Sequence, residues 1–171
     1  MTRQESRAPR WLDDAEQQVW RSFVMVQDRL NAHLGRELQA TSALSMADFQ
    51  VLVVLSDVES GRRRAFELGR LLEWEKSRLS HHLTRMEARG LVARQGCGTD
   101  RRGAFVVLTP EGRKAIEAAA PGHVEEVRRT VFDVLTPAQV ESLGEICGRV
   151  LEQLEARSAC PAEVEDDERC T

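Results

Sequence analysis

Residues 75–89, EKSRLSHHLTRMEAR, gather small hydrogen-bonding side chains on one side of a helix. At 100° per residue, Ser77, His81, Thr84 and Ala88 share a face, with Ser80 and Arg85 at its margins. Leu79, Leu83 and Met86 fall on the opposite side at i, i+4 and i+7, a narrow apolar stripe suited to burial. A helix face turned only to water usually carries Glu and Lys at i, i+4, because long charged side chains favour both helix and solvent. Short donors and acceptors instead let a helix backbone approach a groove, where Ser, Thr, His and Arg reach base edges and phosphates. The alternative is a solvated helix of unusual composition. Ser77, Ser80, His81, Thr84 and Arg85 are the candidate base and phosphate contacts, with Lys76 and Arg78 nearer the DNA backbone. His82 sits closer to the Leu79 stripe, which leaves packing and a flanking position both open.

Charge along the chain supports that chemistry. The formal charge is −4 over 171 residues, yet residues 61–103 hold 11 Lys or Arg against 5 acids. That window is +6 and the remainder −10, the distribution expected when one surface meets phosphate and the others do not. Other chemistries are poorly supplied. His81 and His82 point about 100° apart on a helix and cannot share one ion, and no Cys, Asp or His recurs at i+3 or i+4 from them. His33 and His123 are lone. Cys97, Cys147, Cys160 and Cys170 show no C-x-x-C spacing and read as reduced thiols. Oxidation of Cys97 could move the turn it belongs to, but no resolving cysteine lies nearby and a passive thiol is the simpler reading. There is no nucleophile elbow, phosphate loop or metal-spaced His/Glu pair, so neither an enzyme nor a cofactor is expected. No apolar run exceeds the five residues 51–55 and no secretory pattern opens the chain. These features predict a cytoplasmic protein without a membrane span.

The flanking elements must position the 75–89 helix. Over residues 11–39, Leu12, Val19 and Val26 repeat every seven residues, with Phe23 and Leu30 interleaved and Leu34 and Leu38 following. This predicts an amphipathic helix of roughly 28 residues, about 40 Å long. One small domain cannot cover that length, so its apolar stripe predicts a partner chain. Ser45, with Asp48 three residues on, caps a second helix running to Val58. Arg62, Arg63 and Arg64 then form either a solvated loop or a phosphate contact. A short helix over 65–72 turns Leu68, Leu71 and Leu72 inward and pairs with 75–89 as a helix–turn–helix. Gly90 supplies the helix stop. Residues 91–94 and 104–108 read as strands around a Gly-rich turn that carries Asp100, Arg101 and Arg102, a hairpin directly after the second helix. Thr109 and Pro110 start a helix that Pro121-Gly122 should kink or split. A capping box from Thr136 to Gln139 opens a last helix with Val140, Leu143, Ile146, Val150, Leu151 and Leu154 apolar. The acidic segment 155–171 is expected to be disordered.

That order of elements resembles the MarR family of winged helix–turn–helix transcription regulators, across about residues 17–154. FELGRLLEWEKSRLSHHLTRMEARGLVAR (66–94) and TDRRGAFVVLTPEGRKAI (99–116) carry the resemblance. It implies a mainly α fold with a small β-hairpin wing. A winged helix–turn–helix domain would span 45–109, and a helical dimerisation region would combine 11–39 with 110–154. By resemblance, two copies interlock through the first and the last two helices. The helix at 75–89 enters the major groove and a wing arginine the minor groove, Arg102 first and Arg101 second, with Asp100 orienting it. Two-fold symmetry implies double-stranded DNA with an imperfect palindrome as the partner. Such regulators commonly release DNA on binding a small aromatic or phenolic effector. Trp20, Phe23, His33 and Phe49 are the candidate lining, each of which could equally be core. The expected function is a homodimeric repressor; a winged-helix interaction module without DNA binding is the alternative.

Overall fold

The computed structural model describes residues 9–96 and 105–159. Cys97, Asp100, Arg101, Arg102 and most of the acidic segment lie outside the described residues. Among the described residues, six α-helices and three strands run in the order α1 (Asp14–Ser42), α2 (Met46–Ser56), β1 (Arg62–Arg64), α3 (Ala65–Leu72), α4 (Lys76–Ala88), β2 (Val92–Gln95), β3 (Phe105–Leu108), α5 (Pro110–Val127) and α6 (Pro137–Ala159). The chain divides into two compact units, residues 1–125 and 126–171. Among the described residues, no single helix is long and apolar enough to cross a membrane.

Local chemistry sets the ends of the helices. Asp13 and Glu16 exchange side-chain-to-backbone hydrogen bonds of 2.8 and 2.9 Å, so α1 begins at Asp14 rather than at Trp11. Ser45 and Asp48 do the same for α2, at 3.1 and 2.9 Å. The turn between α3 and α4 depends on Glu73, which takes the left-handed φ of 52°. This lets the Trp74 N–H reach the Gly69 carbonyl at 2.9 Å and close α3. Gly90, at φ 72°, ends α4 as its residue type predicts.

In the first unit the core joins every layer. Leu38 from the end of α1, Phe49, Leu52 and Leu55 of α2, Leu68 of α3, Leu79, Leu83 and Met86 of α4, Val106 and Leu108 of β3, and Ile116 and Ala119 of α5 form one buried cluster. The predicted α4 stripe is therefore its inward face. Leu71, expected inward, is 56% exposed, whereas Leu68 is fully buried. In an eight-residue helix docked along one line, Leu71 falls beyond the buried sector.

The sheet differs from the expected hairpin by one strand. Its order is β1-β3-β2, antiparallel throughout, with β3 in the middle. Arg62-Arg63-Arg64, read as a loop or a phosphate contact, is the edge strand β1, with Arg62 opposite Val107 and Arg64 opposite Phe105. Guanidinium groups on both sides of this strand find partners. Arg62 and Arg64 lie over the Phe105 ring at 5.0 and 4.8 Å, and Arg63 Nε donates to the Val54 carbonyl in the last turn of α2 at 3.1 Å. Thr109 then fastens the sheet to α5. Its hydroxyl donates to the Gly90 carbonyl at 2.6 Å and accepts the Gly112 N–H at 2.9 Å. A side chain at Gly112 would run into the Leu91 carbonyl, so this junction closes on bare backbone.

Pro121 does not split α5, which continues as α-helix to Val127. The proline removes one donor, while Ile116 and Ala119 in the turn before it are anchored in the core. The irregularity comes later, as a π-helical segment over Arg128–Phe132. There Glu126 receives Arg129 and, at 3.1 Å, the Thr130 hydroxyl. Thr136 and Gln139 form the expected capping box, and α6 follows.

Candidate nucleic-acid interface

Lys76, Ser77, Arg78, Ser80, His81, Thr84 and Arg85 are all exposed on α4 above the buried Leu79, Leu83 and Met86. One helix thus presents the α4 part of the predicted set on the side away from its core. Two of its members are partly committed. The Thr84 hydroxyl donates to the Ser80 carbonyl at 3.0 Å and accepts Arg94 Nη2 at 3.2 Å, so its proton is already used. Arg94 also donates to the Ser80 carbonyl at 2.8 Å and faces Glu87, which ties β2 to α4. Beside this face lies an open cleft of about 770 Å³, lined by Phe66, Arg70, Lys76, Ser80 and Arg94 among others.

Beneath the face lies a polar network that links α4 to α2. Asp48 is 3% exposed and His82 6%. Asp48 Oδ2 accepts Arg89 Nη1 at 2.7 Å, and Oδ1 faces His82 Nε2 at 3.1 Å, a contact whose angle falls short of a hydrogen bond. Arg89 Nη2 also holds the Ala43 carbonyl at 2.9 Å, at the left-handed residue that ends α1. Arg85 Nη2 lies 2.9 Å from His82 Nδ1, and Trp74 meets the imidazole edge-on at 5.3 Å. Arg78 stacks over the Trp74 ring at 4.4 Å. Burial pushes the Asp48 carboxyl up, but the Ser45 N–H and Arg89 outweigh it and hold it below its ordinary value. Burial pushes the His82 imidazole below 6.5; Asp48 opposes this, while Arg85 and Arg78 reinforce it. Among the described residues, no three His, Cys, Asp or Glu side chains gather where they could hold a metal ion.

This architecture has close counterparts. A family model described as MarR family matches residues 44–103. AbsC, a MarR family transcriptional regulator from Streptomyces coelicolor, is 40% identical with a TM-score of 0.80, over 86% of this chain and 99% of that one. Sco3205, a MarR family transcriptional regulator from the same organism solved in complex with DNA, is 44% identical with a TM-score of 0.81, over 85% and 91%. This chain belongs to the MarR family of transcriptional regulators. The HTH-type transcriptional repressor YetL of Bacillus subtilis is a more distant relative, 23% identical over 84% of each chain. The MarR family is one of transcriptional regulators.

Within this MarR-family fold the four predicted effector residues do not come together. Trp20 and Phe23 are largely exposed on α1, with ring centroids 6.0 Å apart. His33 is half-buried nearly three turns further on. Phe49 is buried in the core and lies 4.4 Å from the His123 ring, whose pKa burial lowers. Of the four, Phe49 alone is among the residues lining a cleft of about 440 Å³, with Leu34, Val53, Trp74 and His123. The wing residues Asp100, Arg101 and Arg102 fall outside the described residues, and the described strands end at the Gln95–Phe105 pair that flanks them. Sequence reasoning missed Trp74, Arg89 and Arg94 and gave Asp48 only its capping role. Asp48 and Arg89 are 41 residues apart, and no local spacing signals such a pair.

Proposed function

We propose that the chain acts as a homodimeric, sequence-specific repressor on double-stranded DNA, in the cytoplasm, without catalysis of its own. Residues 45–109 form the DNA-binding domain, and segments 11–39 and 110–154 supply the dimerisation region. The observation that carries this reading is the polar row on α4 from Lys76 to Arg85, exposed above a fully buried stripe within a basic stretch of an acidic chain. Ser77, Ser80, His81 and Arg85 meet base edges and phosphates in the major groove, and Lys76 and Arg78 meet the sugar–phosphate backbone. Thr84 contributes as an acceptor only. Arg102, with Arg101 as second choice and Asp100 as its orienting partner, enters a narrow minor groove. DNA in the Sco3205 structure and the repressor name of YetL support the assignment.

Exposed apolar residues on α1 and α6 support the homodimer, since Val19, Trp20 and Val26, and Ile146, Leu151 and Leu154, are left uncovered by their own chain. Two-fold symmetry then gives an imperfect palindrome with half-sites about 10 bp apart. The cleft beside Phe49 and His123 would take a small aromatic or phenolic effector. Such a ligand releases DNA only through its difference in affinity for the two dimer states.

The test is operator binding as a function of salt. Affinity should fall steeply as salt rises, because phosphate contacts release counterions. Arg102→Ala should weaken binding by about 1–3 kcal/mol. Unchanged affinity would remove Arg102 from the interface.

A further inference from the structure

Two arginines on the exposed face of α4 are steered from below by aromatic rings rather than by carboxylates. Arg78 rests on Trp74, Trp74 meets His82 edge-on, and His82 Nδ1 faces Arg85 Nη2 at 2.9 Å. A guanidinium only donates, so Nδ1 is the accepting nitrogen and the ring proton sits on Nε2, toward Asp48. Asp48 is itself paired with Arg89 at 2.7 Å, and among the described residues Arg85 meets His82 rather than a carboxylate. The chemical difference matters. A carboxylate bonded to Arg85 would neutralise it, whereas a neutral imidazole orients the guanidinium and leaves its charge and remaining N–H groups available.

We propose that His82 is a specificity-determining positioning residue: from within the core its Nδ1 holds the Arg85 guanidinium in one orientation for reading a base edge. Asp48 acts one step behind through its charge, which lies 3.1 Å from Nε2 and favours the tautomer with the proton there and Nδ1 as acceptor. The inference rests on the DNA-binding reading above, since it concerns how α4 discriminates bases. It also explains why a buried polar side chain stands on the core edge of α4, where an apolar residue would pack without any desolvation cost.

Two near-isosteric replacements separate positioning from packing. In His82→Asn the side-chain oxygen takes the place of Nδ1 and can still accept from Arg85. In His82→Gln the amide N–H takes the place of Nε2 and still faces Asp48, but the acceptor for Arg85 is lost. Both variants, Arg85→Ala and the His82→Gln/Arg85→Ala double variant would be compared on the selected operator and on single-base variants of it, with thermal unfolding as a check on the fold. Expected is a loss of base discrimination of about tenfold for Arg85→Ala at the position it reads. His82→Gln should show a similar loss at the same position, with no further loss in the double variant, while His82→Asn stays near wild type.

A pH profile adds a readout that packing would not move. The groups facing the imidazole are Asp48 from α2, Trp74 from the α3–α4 turn, and Arg78 and Arg85 from α4 itself. Protonation places a donor on Nδ1 against Arg85, so wild-type discrimination should decline as pH falls through the lowered pKa of the folded imidazole, and that of His82→Asn should not. Additive losses in the double variant, or equal losses in the Asn and Gln variants, would overturn the positioning role while leaving DNA binding intact. Absence of operator binding by the wild-type protein would overturn both.

Discussion

The apolar stripe of α4 and those of α1 and α6 are written in the same periodicity and meet opposite fates. On α4, Leu79, Leu83 and Met86 are buried by their own chain. On α1, Val19 is 69% exposed and Trp20 57%, and on α6 Ile146 is 60% exposed. Only the last turns of α1, at Leu34 and Leu38, reach a core. Periodicity therefore says which face of a helix is apolar but not whether the cover comes from within the chain. Where a short helix sits among α2, the sheet and α5, its stripe closes a core. Where a helix of 29 residues carries its stripe past the layers available to it, the cover has to come from a second surface.

The largest effect should come from the uncovered stripes. Replacing Val26 and Ile146 together with Glu should convert the protein from dimer to monomer in sedimentation and reduce operator affinity at least about a hundredfold, since one half-site loses its partner. A dimer that survived would place its interface elsewhere. The covered stripe should respond differently. Leu83→Ala is expected to cost about 2–5 kcal/mol in denaturant unfolding, through lost burial and a cavity, with little change in the surface used for association. Gly112→Ala should cost about 1–3 kcal/mol by forcing the β2–α5 junction apart, again within one chain.

A separate effect distinguishes the polar layer of the core from its apolar part. Asp48→Asn removes the charge that Arg89 and His82 face and should cost about 2–3 kcal/mol near neutral pH. Because the Asp48 pKa is lowered in the fold, its contribution is complete above the ordinary value of 3.8 and disappears as pH falls through the folded value. His82 and His123 are also lowered, so the unfolded chain takes up their protons first. Stability should therefore begin to fall as pH drops below 6.5 and fall further when Asp48 protonates. His82→Gln should flatten the first stage in urea unfolding across pH, leaving only the His123 part.

What the residues revealed in advance follows the same division. The helix ends at Asp48, Gly90, Thr109 and Gln139 were legible because caps and stops act over three or four residues. The inward face of α4 was legible because its three apolar residues leave one solution. Arg62–Arg64 was not legible as a strand, because its pairing is imposed by β3, some 40 residues away, and its packing uses arginine stems and the Phe105 ring. Leu71 shows the converse: a leucine at helical spacing still faces water when the helix is too short to wrap its core. At the site, the exposed row could be read from spacing. The brace beneath it, from Asp48 and Arg89 through His82 to Arg85, exists only once α2 and α4 are packed together.

The most direct measurement is selection of bound DNA from a random or genomic pool by the purified protein at two salt concentrations. The structure predicts recovery of an imperfect palindrome with half-sites about 10 bp apart, more weakly at the higher salt. Recovery of no shared sequence at either concentration would contradict the assignment of α4 as the helix that reads DNA.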